Sequence, residues 1–389
     1  MEILVLFLKW GLPLLVITDL GSALWDNPLL LNVSRAIRIL ILFLFIIENI
    51  RHIGIIRKFY FAKFLFFFAI IHFFYLFTDP IFFEGIWEYS KILFWILGLN
   101  VLFAYGYKYK SELDLHDFVE IIKKIALLAF GFTILYYSTG FLDSDYNAAA
   151  YLGVFIYPLI LYTSDNFKKN QIYILIIAVT VMITIKRGAI LAFLLTNIIF
   201  YFWSLISLFN LKKFVLGMIL IASVFFVGSY FILKQEDRIE DRFSEEQMDI
   251  NNPKAGSGRV GLYTNLYTEW IESDNIIFGF GNQADSHRWG GNWRRTHAHS
   301  DIFGYLYNFG LIGISLILIF YLKIIRFYMK YRRVDSENSA IIIAFLVALF
   351  LVNLYSGLLK STDAFYLFAL LPYFQLQQEE LQKNNHTYA

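Results

Sequence analysis

Thr296, His297, Ala298, His299 and Ser300 run together at the end of a long polar stretch. Nine residues later Gly310-Leu311-Ile312-Gly313 follows inside an apolar one. Imidazole has an ordinary pKa of about 6.5, the side-chain value nearest neutral pH, so either histidine could serve as a general base. An H-x-H pair could instead ligate a metal. Residues two apart on a helix point to nearly opposite faces, so joint ligation needs extended backbone, and Asp301 is the obvious third ligand. A third reading is a structural histidine satisfied at a helix entrance.

Candidate anion ligands lie elsewhere in the chain. Lys186, Arg187 and Gly188 interrupt an apolar stretch, where a charge without an anion is costly. Arg187 is the preferred ligand, because a planar guanidinium can take phosphate oxygens two at a time, and Lys186 would assist it. Snorkelling to lipid phosphates is the plainer alternative. Arg259 follows Gly256-Ser257-Gly258 just before an aromatic, helix-compatible segment, where a helix start would add backbone N–H groups to an anion site. Arg288, Trp289, Trp293, Arg294 and Arg295 interleave cations with indoles. Such a surface could stack on sugars and hold anions, or lie on lipid headgroups. Basic residues are too few to point to nucleic acid.

The elements that must position these groups are apolar helices. Hydrophobic residues make up 58% of the 389 and charged ones 16%, well below the ~25% of soluble domains. An all-α polytopic membrane protein is expected, with about twelve spans of the length a bilayer core demands. They fall near 3–18, 36–50, 59–77, 86–107, 118–137, 148–162, 172–185, 189–208, 214–233, 302–321, 340–354 and 364–374. Residues 1–233 then hold the first nine spans, 234–300 one large loop, 301–376 the last three spans and 377–389 a polar tail. Lys and Arg crowd the connections near 51–63, 108–124, 168–169, 212–213 and 323–333. The alternate set holds only Arg35, Arg38, Lys91, Lys186, Arg187 and Lys360, beside acids such as Asp19 and Asp79. The positive-inside rule therefore puts both termini in the cytoplasm and the large loop outside. The spans read as almost free of central charge. Zero cysteines exclude disulfides and thiolate chemistry.

Three motifs together resemble the O-antigen polymerase and O-antigen ligase family, bacterial enzymes that act on undecaprenyl-diphosphate-linked sugars at the outer face of the inner membrane. His299-Ser300, nine residues and Gly310-Leu311-Ile312-Gly313 match its pattern of a histidine, a small polar residue and G-x-x-G. Arg187-Gly188-Ala189-Ile190-Leu191 matches its R-x3-L, and Ser257-Gly258-Arg259 stands where the family places a loop arginine. The chain has Ser300 where the family most often has Asn.

The resemblance implies a GT-C-like fold and glycosyl transfer from an undecaprenyl-diphosphate-linked oligosaccharide. His299 would be the base, and Arg187 and Arg259 would bind the diphosphate. Lys186, His297, Arg288, Trp289, Trp293, Arg294 and Arg295 would contribute to substrate binding. It implies an inverting reaction without metal or cofactor, in contact with membrane lipids and with a chain-length regulator as candidate partner. A polymerase joining lipid-linked repeats is the first expectation, a ligase acting on lipid A core the second. From a different class, a transporter or flippase of lipid-linked sugars could have similar topology, but usually carries ionisable groups near the midplane.

Overall fold

The computed structural model describes residues 2–79, 81–109, 115–138, 148–162, 167–184, 186–208, 255–287, 298–332 and 336–387, with isolated positions 215, 244, 249 and 252. The ninth expected span and most of 234–254 lie outside the described residues. So do Arg288, Trp289, Trp293, Arg294, Arg295 and His297.

In chain order the helices are α1 (Glu2–Trp25), α2 (Pro28–Arg51), α3 (Ile53–Ile56), α4 (Ala62–Leu76), α5 (Phe82–Lys108), α6 (Leu115–Ser138), α7 (Ala148–Tyr162), α8 (Phe167–Ile183) and α9 (Arg187–Leu208). After the large gap come α10 (Ala255–Ile271), α11 (Ala284–His287), α12 (Asp301–Tyr331), α13 (Ser336–Tyr355), α14 (Ala364–Phe368) and α15 (Leu370–Thr387). Four of them, α1, α2, α5 and α12, are long and apolar enough to cross a bilayer. Trp10, Phe66, Phe74 and Phe83 stand exposed on the outside of the bundle. An apolar surface of that kind is at home against lipid, where helices also satisfy their own backbone polar groups. Among the described residues every regular element is a helix, as expected of a polytopic membrane protein.

Local sequence explains several boundaries. Asn27 caps α2, its side-chain oxygen accepting from Leu29 N at 2.9 Å, and Pro28 takes the first helical position, where a missing N–H costs nothing. The apolar stretch around Lys186 does break into two helices, α8 ending at Ile183 and α9 starting at Arg187. Helix α9 packs along α13, and α7 along α8.

The spans are not free of buried charge. Helices α1 and α2 extend past Asp19, Arg35 and Arg38, which the sequence assigns to a connection. Arg38 reaches both carboxylate oxygens of Asp19, at 3.1 and 2.8 Å, and the Ser34 hydroxyl also donates to that carboxylate. Glu48 is buried and takes bonds from Arg51 at 2.7 Å and from the Tyr105 hydroxyl at 3.0 Å. Pairing is what lets such groups lie inside an apolar bundle, and pairing between helices leaves no trace in a hydropathy window.

The expected last span and tail also differ. The helix is interrupted at Ala369, and α15 continues to Thr387 through the stretch that reads as a polar tail. Gln375 explains part of this: its amide donates to Lys58 O at 3.0 Å, while its oxygen accepts from Tyr60 N at 2.9 Å. It thereby satisfies backbone groups left open by the turn between α3 and α4.

Candidate active site

Each residue from Ala298 to Asp301 is tied to a different element. Ala298 N donates to an Asp285 carboxylate oxygen at 2.9 Å. The other carboxylate oxygen and the backbone N–H of Asp285 both bond to the fully buried Asn308 amide, at 2.7 and 2.9 Å. The carbonyl of His299 accepts from the Tyr263 hydroxyl at 3.2 Å. Ser300 caps α12, accepting from Phe303 N at 3.4 Å and donating to Asn353 O at 3.0 Å. Asp301 accepts from Leu358 N at 2.7 Å and Leu359 N at 3.0 Å, clamping the turn between α13 and α14.

Between these anchors His299 adopts φ +49°, a left-handed conformation uncommon outside glycine. Strain of this kind persists only where the surroundings impose it, and it gathers at functional sites. The His299 side chain is exposed and borders a cavity of about 280 Å³. Asp285, Ser300, Asp301 and Tyr305 line it, as do Glu88, Lys91, Ser356, Lys360 and Ser361.

Arg259 lies near this corner. Helix α10 starts at Ala255, so Arg259 stands inside it rather than ahead of it, directly after Gly258 with φ +79°. Its charge acts on Tyr151 of α7 and on Tyr263. Burial pushes the Tyr263 phenol up to about 12, against the opposing pull of Arg259, so it remains a neutral donor to His299 and, at 3.3 Å, to Leu354 O. Its ring stacks on Phe303 at 4.3 Å. Lys186 and Arg187 open α9, and the next residue, Gly188, lies against the same aromatic group. A Cβ there would sit 3.0 Å from the Tyr151 hydroxyl and 3.2 Å from Tyr355. Tyr151, Tyr263 and Tyr355 thus join the start of α9, Arg259 and the His299 backbone at one end of the bundle.

The two glycines of the G-x-x-G motif have separate structural reasons. At Gly310, φ +60° and ψ −146° break α12. In an unbroken helix Tyr307 O and Asn308 O would accept from Leu311 N and Ile312 N. Here segment 276–281 enters instead. Phe280 N and Gly281 N donate to Tyr307 O and Asn308 O at 3.0 and 2.9 Å, while Leu311 N and Ile312 N donate to Ile276 O and Ile277 O at 3.0 and 3.3 Å. A Cβ on Gly310 would lie 2.5 Å from Ile276 O, and one on Gly313 2.5 Å from Tyr305 O. The break also resolves a length problem. The 31 residues of α12 would measure ~46 Å if straight, whereas 311–331 measures roughly 30 Å, close to one hydrocarbon thickness. The helix thus runs on past the expected span at 302–321, and residues 301–309 form a short separate helix ahead of the break.

Residues 172–318 match the family model described as O-antigen ligase. Over this stretch the chain is similar to the O-antigen ligase family. No curated protein matches the chain. The matched stretch includes Lys186, Arg187, Arg259, His299, Gly310 and Gly313, while Glu88, Lys91, Ser356, Lys360 and Ser361 lie outside it.

Those outer residues are the ones that sequence reasoning passes over. Lys91 and Lys360 belong to the same sparse set of cations as Lys186 and Arg187, a signal available in the sequence but without a motif around it. Lys91 pairs with Glu88 at 2.5 Å. Lys360 rides over the rings of Tyr305 and Phe309, at 5.9 and 5.5 Å. Tyr305 is itself held by His72 of α4. In the neutral imidazole, Nδ1–H donates to Phe68 O at 2.9 Å, which leaves Nε2 to accept from the Tyr305 hydroxyl at 2.8 Å. Among the described residues no three His, Asp or Glu side chains gather as a metal site.

Proposed function

We propose that this protein is an O-antigen polymerase, a glycosyltransferase that joins undecaprenyl-diphosphate-linked oligosaccharide repeats at the periplasmic face of the inner membrane. The observation that carries this reading is the convergence of a strained, cavity-facing His299 with Arg259 and the start of α9 at one end of the bundle. His299 takes the proton from an acceptor hydroxyl while the hydroxyl oxygen bonds to the anomeric carbon of the donor. The bond from that carbon to the diphosphate breaks in the same step. Arg187 and Arg259 hold the departing diphosphate, stabilising charge that grows as the bond lengthens. With no enzyme nucleophile the anomeric configuration inverts. Fixed guanidinium groups stand in for a divalent cation, and turnover is expected to persist in chelator. Arg288, Trp289, Trp293, Arg294, Arg295 and His297 would add contacts to sugar and diphosphate.

Purified protein given lipid-linked repeats alone should make a ladder of longer products, and His299→Ala should slow it by about 10²- to 10⁴-fold. Product of retained configuration, or full activity in His299→Ala, would refute the mechanism. The similarity of residues 172–318 to the O-antigen ligase family favours a second reading, a ligase that moves the glycan to lipid A core. Product appearing only after lipid A core is added would select it. The Asp19–Arg38 pair between α1 and α2 is the observation that favours a transporter. That reading requires movement of lipid-linked sugars in the absence of any sugar transfer.

A further inference from the structure

Lys360 has no explanation in the chemistry above. Its backbone is fixed, because it directly follows Leu358 and Leu359, whose N–H groups are clamped on Asp301. Its ammonium borders the cavity beside His299 and makes cation–π contacts with Tyr305 and Phe309, yet among the described residues it forms no ion pair. Asp301, which lines the same cavity, acts on it electrostatically.

We infer that this cavity is the subsite for the acceptor sugar and that Lys360 donates to the hydroxyl groups of that sugar. The inference rests on the glycosyltransferase reading. Three observations lead to it. The volume, about 280 Å³, lies at the lower edge of the ~300–1,000 Å³ of small-ligand sites, room for a sugar ring rather than for a lipid diphosphate carrying its glycan. The lining carries no excess of cations, because Lys91 is paired with Glu88 at 2.5 Å and Lys360 shares the cavity with Asp285 and Asp301. A diphosphate is thereby directed toward the Arg259 side of His299, whereas a neutral polyhydroxyl ligand finds both donors and acceptors here. Finally, Lys360, Ser356 and Ser361 lie outside the stretch matched by the family. A donor site is shared by enzymes acting on one lipid carrier; an acceptor site must suit its own sugar.

Binding of two probes to the full-length protein in detergent separates the sites. One is the lipid-free oligosaccharide repeat released from the glycan of the source organism, the other undecaprenyl diphosphate. Lys360→Ala should weaken the oligosaccharide about tenfold or more, the loss expected for a charge-assisted hydrogen bond, and leave undecaprenyl diphosphate unchanged. Arg259→Ala should do the reverse. Lys360→Met keeps the apolar stem over Tyr305 and Phe309 and should match Lys360→Ala, while Lys360→Arg should recover part of the affinity. The subsite is overturned if undecaprenyl diphosphate weakens as much as the oligosaccharide, if Lys360→Met binds the oligosaccharide like wild type, or if wild type does not bind it. A ladder from lipid-linked repeats in any of these cases would leave the polymerase reading standing; absence of sugar transfer from wild type would remove that reading itself.

Discussion

At Ser300 a single hydroxyl both caps α12 and donates to Asn353 O on α13. Ser and Asn are comparably strong helix caps, which makes Ser a conservative replacement for the family's usual Asn. Ser300→Ala should cost about 1 kcal/mol of stability, whereas Ser300→Asn should retain most of it, as thermal melting in detergent would measure. Its neighbour His299 gives the clearest kinetic expectation. A base of the imidazole type loses activity as pH falls below about 6.5, so kcat/KM should drop on the acid side with a single proton taken up. An unchanged profile down to pH ~5 would argue against an imidazole base. Arg259→Lys keeps the charge but loses the planar fork, and should raise KM for the lipid-linked donor. His299, Arg187 and Arg259 are legible in the sequence because each sits in a recognisable pattern. Lys360 is not: its significance comes from Asp301, Tyr305 and Phe309, which fold around it from α12.

Among the elements, α12 shows how a short motif encodes a shape. Gly310 breaks the helix so that segment 276–281 can exchange hydrogen bonds with it, and this fixes the 301–309 turns on which Ser300, Asp301 and Tyr305 depend. Gly310→Ala brings a Cβ against backbone on two sides and demands φ +60° of a residue that resists it. A cost of at least 1–3 kcal/mol is expected, with lower melting temperature and activity. Wild-type stability and turnover in this variant would mean that the break is not required. Sequence alone places an apolar helix near 302–321, because hydropathy averages over a break that leaves composition unchanged. The break is decided by the partner segment, whose carbonyl and N–H groups replace those lost.

At the scale of the molecule, buried charge ties the helices together. Asp363, ahead of α14, is pushed up from 3.8 to about 6, first by burial and then by the nearby carboxylate of Asp19; Arg38, its Ser361 hydrogen bond and Lys91 act in the opposite direction. An acid whose folded value is raised holds its proton where the unfolded chain has released it. Its contribution to stability is therefore complete below about pH 3.8 and lost as pH rises through about 6. Asp363→Asn should flatten that part of the stability profile, as melting temperatures from pH 4 to 7 would measure. An unaltered slope would mean that Asp363 does not titrate there.

Composition and hydropathy by themselves determined a helical membrane protein, because lipid admits few other solutions for an apolar backbone. Two local patterns, a histidine with spaced glycines and arginines among apolar runs, also pointed to residues of the candidate site before any packing was known. Only the tertiary structure decided that α1 and α2 are joined by a charge pair, that α12 is broken, that α15 continues as helix and that Lys360 shares a cavity with His299. Each depends on atoms far apart in the chain meeting to satisfy a charge or a hydrogen bond, and such a meeting has no signature in the local order of residues.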